Sequence, residues 1–226
     1  MKNNIFKLCF RILIIISVVT GICLTPTNRL HEQFWYFTIQ TNIFIAIIEI
    51  ILVACQILNM CGEKLPFLES KVFSFIRTLT TFFITITGLI YCFVLAPAGM
   101  YFDKKPLSIL FDFRNVLLHI TVPVMAIIDH LIFCPKGNLK YKQAPLFLIY
   151  PALYFGLVNF RVLFGGNPFF DGSYYPYFFL DPYLENQGWG TVGIYLTAIC
   201  LLFYGLAMLY IFLDKRISNR KSKKTA

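Results

Sequence analysis

Charge is what this sequence has least of. Asp, Glu, Lys and Arg together make up 14% of the 226 residues, against 58% for hydrophobic types, whereas a soluble domain carries about 25% charged residues. Mean hydropathy is +0.70. Folded in water, such a chain would leave large apolar patches facing solvent, so a soluble globular domain is excluded.

No CxxC pair and no mixed Cys/His metal spacing occurs, and the cysteines (Cys9, Cys23, Cys55, Cys61, Cys92, Cys134 and Cys200) are odd in number. A disulfide framework and a structural zinc centre are therefore not expected; the cysteines read as small buried hydrophobes. No metal and no cofactor is expected. No GxSxG elbow is present and no cysteine stands in a catalytic setting, which removes the common serine and cysteine hydrolase routes. An internal repeat of the kind transporters often carry is also missing.

What is there is a series of apolar runs of about 20 residues, the length that carries a helix across hydrocarbon. Six spans are expected, at about 7–25, 34–59, 71–97, 109–133, 144–165 and 189–213, with Pro26, Pro66, Pro97, Pro106 and Pro135 at or near the breaks. The fold class that follows is all-α: a polytopic membrane protein whose six transmembrane helices form one bundle over residues 1–214, followed by a basic tail at 215–226.

The net charge of +9 raises nucleic acid as a partner, but its distribution points to a membrane. With both termini cytoplasmic, the inner segments hold Lys2, Lys7, Arg11, Lys64, Lys71, Lys136, Lys140, Lys142 and six tail residues, fourteen in all, against Arg29, Lys104 and Lys105 outside. This is a positive-inside pattern, and the tail reads as an anchor beside anionic lipid. No nucleic-acid partner is expected, and no protein partner is named by the sequence. Lysines ahead of the apolar core at 12–24 resemble a signal peptide. No A-x-A-like site follows, however, and cleavage would break the charge pattern, so this segment is read as a retained span. The Lys- and Asn-rich ends and short loops suit a bacterial plasma membrane.

The fifth connection differs from the others. Residues 166–188 lack Lys and Arg, are rich in aromatics and contain Pro168, Pro176 and Pro182. The segment is expected on the outer side, either folded back over the bundle as a lid or anchored as an aromatic belt.

Intramembrane polar residues are costly and usually face the bundle interior. On the second span Thr38, Asn42, Glu49 and Gln56 fall on one helical stripe, and on the fourth Asp112, Asn115, His119 and His130 do the same. Two polar seams therefore face inward, most simply toward each other. Interhelical hydrogen bonding accounts for Gln56, Asn159 and most Ser and Thr, and His130, beside Asp129, reads as an interface residue. Glu49 is expected to pair with an arginine or to be protonated. His119 stands out. It lies about 15 Å into its helix, where burial keeps an imidazole uncharged and able to accept a proton. Pro123 has no amide hydrogen for the carbonyl of His119, so a kink is expected there.

A base needs a hydroxyl to act on, and "YFTIQTN" (36–42) supplies Thr38 and Thr41. A hydrogen-bonded imidazole activates a threonine for acyl transfer. Spacing does not choose between the two hydroxyls, and depth mildly favours Thr41.

"FWYFTIQTN", "NVLLHITVP" and "YPYFFLD" together resemble the androgen-induced, FAR-type integral membrane family, in the same order and over nearly the whole chain. The resemblance implies an intramembrane threonine hydrolase of branched fatty acid esters of hydroxy fatty acids. The family's "W-x-F-L-T" segment matches "WYFT", with one residue fewer, and implies Thr38 as nucleophile, with Thr41 second. Its histidine before "TTVLP" matches "ITVP" and implies His119 as base. Asn42 or Asn115 would then donate to the oxyanion, and Arg114 or Arg161 would hold a substrate carboxylate. The competing expectation is a non-catalytic carrier or lipid-binding protein with His119 and Glu49 as proton or ligand sites.

Overall fold

The computed structural model describes residues 2–26, 30–63, 65–101, 104–169, 172–185 and 187–225. Their helices, in chain order, are α1 (Lys2–Cys23), α2 (Leu30–Gln33), α3 (Phe37–Met60), α4 (Lys71–Ile90), α5 (Ala96–Tyr101), α6 (Leu107–Leu110), α7 (Phe113–Val116), α8 (Val122–Phe133), α9 (Ile149–Leu163) and α10 (Trp189–Thr225). No strand occurs among the described residues. Six stretches are long and apolar enough to cross a membrane: Asn4–Cys23, Phe37–Met60, Lys71–Tyr101, Phe113–Phe133, Tyr141–Leu163 and Trp189–Asn219. The expected six spans are therefore present, and the chain is an all-α, multi-pass membrane protein.

The chain falls into two compact units, one of Met1–Leu30 with Phe37–Pro135 and one of His31–Tyr36 with Lys136–Ala226. The first unit holds four of the spans. Its interior is polar where its exterior is not: Arg11, Thr41, Asn42, Glu49 and Asp129 are buried, while Leu13, Ile16, Ile47, Ile50 and Ile132 are exposed. In water that distribution would be unfavourable, and in hydrocarbon it is the stable one. Ile14, Val18, Ile45, Ala46, Ile84, Val122 and Ala126 form an apolar layer at its centre. Lipid tails are as apolar as these side chains, so the layer holds α1, α3, α4 and α8 together through close packing rather than hydrophobic transfer.

Local chemistry sets the helix ends. The amide of Phe73 donates to Ser70 Oγ at 3.1 Å, capping α4, and the amide of Asn115 donates to Asp112 Oδ1 at 2.7 Å, capping α7. Two π-helical turns interrupt the rods: Tyr91–Leu95 joins α4 to α5, and Leu117–Thr121 joins α7 to α8. Each ends two residues before a proline, Pro97 and Pro123. The irregularity expected at Pro123 thus takes the form of a wide turn. The Val122 amide bonds back to the Leu117 carbonyl, which takes it away from Leu118.

The second unit contains α9 and α10. Asp214 accepts the amides of Gly137 (2.9 Å) and Leu139 (3.1 Å). In the aromatic segment Phe169, Tyr175, Phe179 and Leu180 are buried, while Tyr174 and Tyr183 are exposed. α10 runs on without a break through the stretch expected as a separate tail, to Thr225.

One expectation needs correction. Arg11 is not a charge at the membrane boundary: it lies inside the first span and is 1% exposed. His130, three residues from the end of its span, and Asp129 are both buried. Arg29 and Lys64 lie outside the described residues.

Candidate active site

α3 begins at Phe37, which puts Thr38 in its first turn, near the positive end of the helix dipole. The π turn Leu117–Thr121 presents His119 from the facing rod. Thr38 Oγ1 and His119 Nε2 are 3.2 Å apart, and the two side chains are 8% and 9% exposed. The two seams therefore do meet.

The direction of that hydrogen bond follows from the far side of the ring. His119 Nδ1 lies 3.1 Å from the Asn115 carbonyl oxygen, and a carbonyl only accepts, so Nδ1 carries the ring proton. Nε2 of a neutral imidazole is then a bare lone pair, and Thr38 donates to it. Hydroxyl, base and orienting acceptor stand in line, which is the general arrangement of an activated nucleophile.

Neighbouring residues fix the ring in place. Tyr91, from the other π turn, stacks on it with centroids 3.8 Å apart and an interplanar angle of 19°, and the Tyr91 hydroxyl donates to the Leu110 carbonyl. Behind the ring, α4 comes very close at Gly88, where a Cβ would lie 2.9 Å from the His119 carbonyl oxygen and 3.1 Å from Pro123 Cβ. Sequence reasoning missed Tyr91 and Gly88. Their only signal was a glycine and a tyrosine upstream of Pro97, matching a histidine upstream of Pro123.

Thr41 sits otherwise. Fully buried, it bonds within the α3–α4 contact, 2.7 Å from Thr87 Oγ1 and 3.1 Å from the Thr38 carbonyl. Asn42 Nδ2 donates to the carbonyls of Thr38 (2.8 Å) and Leu118 (3.2 Å); the second is the carbonyl that the π turn released. With Nδ2 so committed, Asn42 is a brace between α3 and the π turn, not a free oxyanion donor, and its Oδ1 has no hydrogen-bond partner among the described residues. The Asn115 side chain is also committed, donating to Ile109 O at 3.1 Å; its backbone carbonyl is what serves the site. Arg114 Nε donates to Thr25 Oγ1 at 3.0 Å. Arg161 belongs to the second unit, where it donates to the carbonyls of Tyr174 (3.0 Å) and Asn167 and lies over the rings of Phe169 (4.4 Å) and Trp35 (5.3 Å). It anchors the aromatic segment.

A second polar cluster occupies the opposite end of the first unit. Arg11 Nε is 3.0 Å from Asp129 Oδ1 and 3.5 Å from Glu49 Oε2, and Arg77 donates to Asp129 Oδ2. Glu49 therefore does pair with an arginine. About 16 Å of α3 separates Thr38 from Glu49, and the apolar layer lies between them. No group of three or more His, Cys, Asp or Glu side chains able to hold a metal occurs among the described residues. No protein-family model, curated protein or solved structure matches this chain.

Proposed function

We propose that this chain is an intramembrane hydrolase of lipid esters, of the fatty acid ester type, with Thr38 as nucleophile and His119 as general base. The observation that carries the reading is the Thr38–His119 hydrogen bond, with its direction fixed by the Asn115 carbonyl. The resemblance of "FWYFTIQTN", "NVLLHITVP" and "YPYFFLD" to the androgen-induced, FAR-type family supports the substrate class, fatty acid esters of hydroxy fatty acids. A plasma-membrane location, if the chain is bacterial, belongs to the same proposal.

In the first half-reaction Thr38 Oγ attacks the ester carbonyl while its proton passes to His119 Nε2. The tetrahedral adduct collapses, the C–O bond to the alcohol breaks, and the imidazolium returns the proton to the leaving alkoxide. An acyl-threonine remains. In the second half-reaction water attacks that acyl group, His119 takes the water proton and passes it to Thr38 Oγ as the acid leaves. With the Asn42 and Asn115 amides committed elsewhere, the positive end of α3 stabilises the oxyanion. Glu49 is engaged in the ion cluster, which weakens the carrier alternative.

Purified protein in detergent with a fluorogenic medium-chain ester tests the proposal. Thr38→Ala and His119→Ala are expected to lower turnover by about 100-fold or more, and a covalent serine/threonine-hydrolase probe should label wild type but not Thr38→Ala. Full hydrolysis by either variant ends the reading.

A further inference from the structure

The ion cluster borders a cavity of about 280 Å³ at the end of the first unit away from His119. Lys7, Arg11 and Arg77 line it together with the polar side chains of Gln56, Asn59 and Ser74, and no Asp or Glu does among the described residues. The carboxylates stand behind the arginines: Asp129 bridges Arg11 and Arg77, and Glu49 flanks Arg11.

Two features of this arrangement are unexplained by the pairs themselves. Arg11 is 1% exposed, yet its Nη2 has no hydrogen-bond partner among the described residues, and a buried guanidinium N–H without an acceptor is costly. Charge is also left over. Among the described residues three cations (Lys7, Arg11, Arg77) face two carboxylates (Glu49, Asp129), a surplus of one positive charge, and protonating Glu49 would enlarge it. Uncompensated charge inside a membrane span is expensive. One bound monoanion beside Lys7 and Arg11 would remove the surplus. The remaining walls, among them Leu52, Phe73 and Phe133, suit hydrocarbon better than water.

We propose that this cavity binds the phosphate head group of an anionic membrane lipid, with Arg11 and Lys7 on the phosphate and the acyl chains against the apolar wall. Basic pockets between transmembrane helices are suited to such head groups. The site is separate from Thr38 and His119, so it stands or falls apart from the ester hydrolysis proposed above.

The test is thermal unfolding of the purified full chain in neutral detergent, titrated with phosphatidylglycerol, phosphatidylcholine or inorganic phosphate. Ligand that binds only the folded state raises the midpoint. Phosphatidylglycerol should raise it in a saturable way, and phosphatidylcholine should not. Lys7→Gln should weaken the apparent affinity about five-fold, and Asn59→Asp, which places an acid in the cavity wall, should weaken it further. Because Lys7 is only half-buried and Asn59 is exposed, both variants should fold; the ligand-free midpoint of each checks this, and either one alone suffices. Protection by phosphatidylglycerol that is equal in wild type and variants, or no protection at all, overturns the proposal. Equal protection by inorganic phosphate overturns the lipid assignment. Esterase activity measured alongside should not follow the lipid titration.

Discussion

Tyr91 lies flat against His119, and each of the two rings is carried by a π turn that ends two residues before a proline. Such turns shift the following helix and aim side chains away from the regular 3.6-residue register. Here two of them place an aromatic plate and an imidazole face to face, which leaves the ring edge, and with it Nε2, directed at Thr38.

The plate can be tested in two steps. Tyr91→Phe removes only the bond to the Leu110 carbonyl and should cost about 1 kcal/mol of stability. Tyr91→Ala removes the ring from a buried site and should cost about 3–5 kcal/mol. Hydrolysis should fall much further in the Ala variant than in the Phe variant, because only the former frees the imidazole to rotate. Denaturant unfolding in detergent and ester turnover at a temperature where both variants are folded give the two numbers.

Thr38 and Thr41 should separate cleanly. Thr38→Val removes the hydroxyl on His119 and should abolish hydrolysis with little change in stability. Thr41→Val breaks the Thr41–Thr87 contact but keeps His119 and Thr38 in place. A loss of about 1 kcal/mol, with turnover close to wild type, is expected. The reverse pattern would move the nucleophile to Thr41.

Much of this was legible in the sequence, for identifiable reasons. The six spans follow from apolar runs that nothing but a bilayer accommodates, and the meeting of Thr38 with His119 follows from two inward-facing seams. The choice between Thr38 and Thr41 was not legible. Both lie in the first turn and a half of α3, and only the rotation set by Asn42 and the π turn decides which hydroxyl meets the base. Arg11 was misread because a cation near the N-terminus counts as a boundary charge until its partners are known, and those are 38 and 118 positions away at Glu49 and Asp129. Asn42 and Asn115 look like donors for a substrate in one dimension. In three, the π turn releases a carbonyl that claims the first, and the Ile109 carbonyl claims the second.

Gly88→Ala should be damaging out of proportion to its size. The added carbon would meet backbone oxygen and a proline ring, neither of which can swing aside as a flexible side chain does. A cost of about 1–3 kcal/mol is expected from overpacking, together with reduced hydrolysis, because the displaced segment is the one that carries His119. Gly21→Ala is the comparison. Its closest neighbours are side-chain atoms of the buried Leu118, at 2.5 and 2.7 Å, so a cost in stability is expected there too, without the direct clash against the His119 carbonyl.

Asp129→Asn leaves Arg11 and Arg77 without the carboxylate that joins them. Removing one partner of a buried ion pair costs about 3–5 kcal/mol, so the variant should unfold at markedly lower temperature or denaturant. Turnover per folded molecule should change far less, since the apolar layer separates this cluster from Thr38. Unfolding midpoints and active-site titration with a covalent probe distinguish lost protein from lost chemistry.

That layer of Ile14, Val18, Ile45, Ala46, Ile84, Val122 and Ala126 also divides the polar residues of the first unit into two groups. Its seven side chains hold no titratable group, while the polar groups that run past it lie along α4, where the buried hydroxyls of Thr87, Thr85 and Thr81 lead from Thr41 toward Arg77.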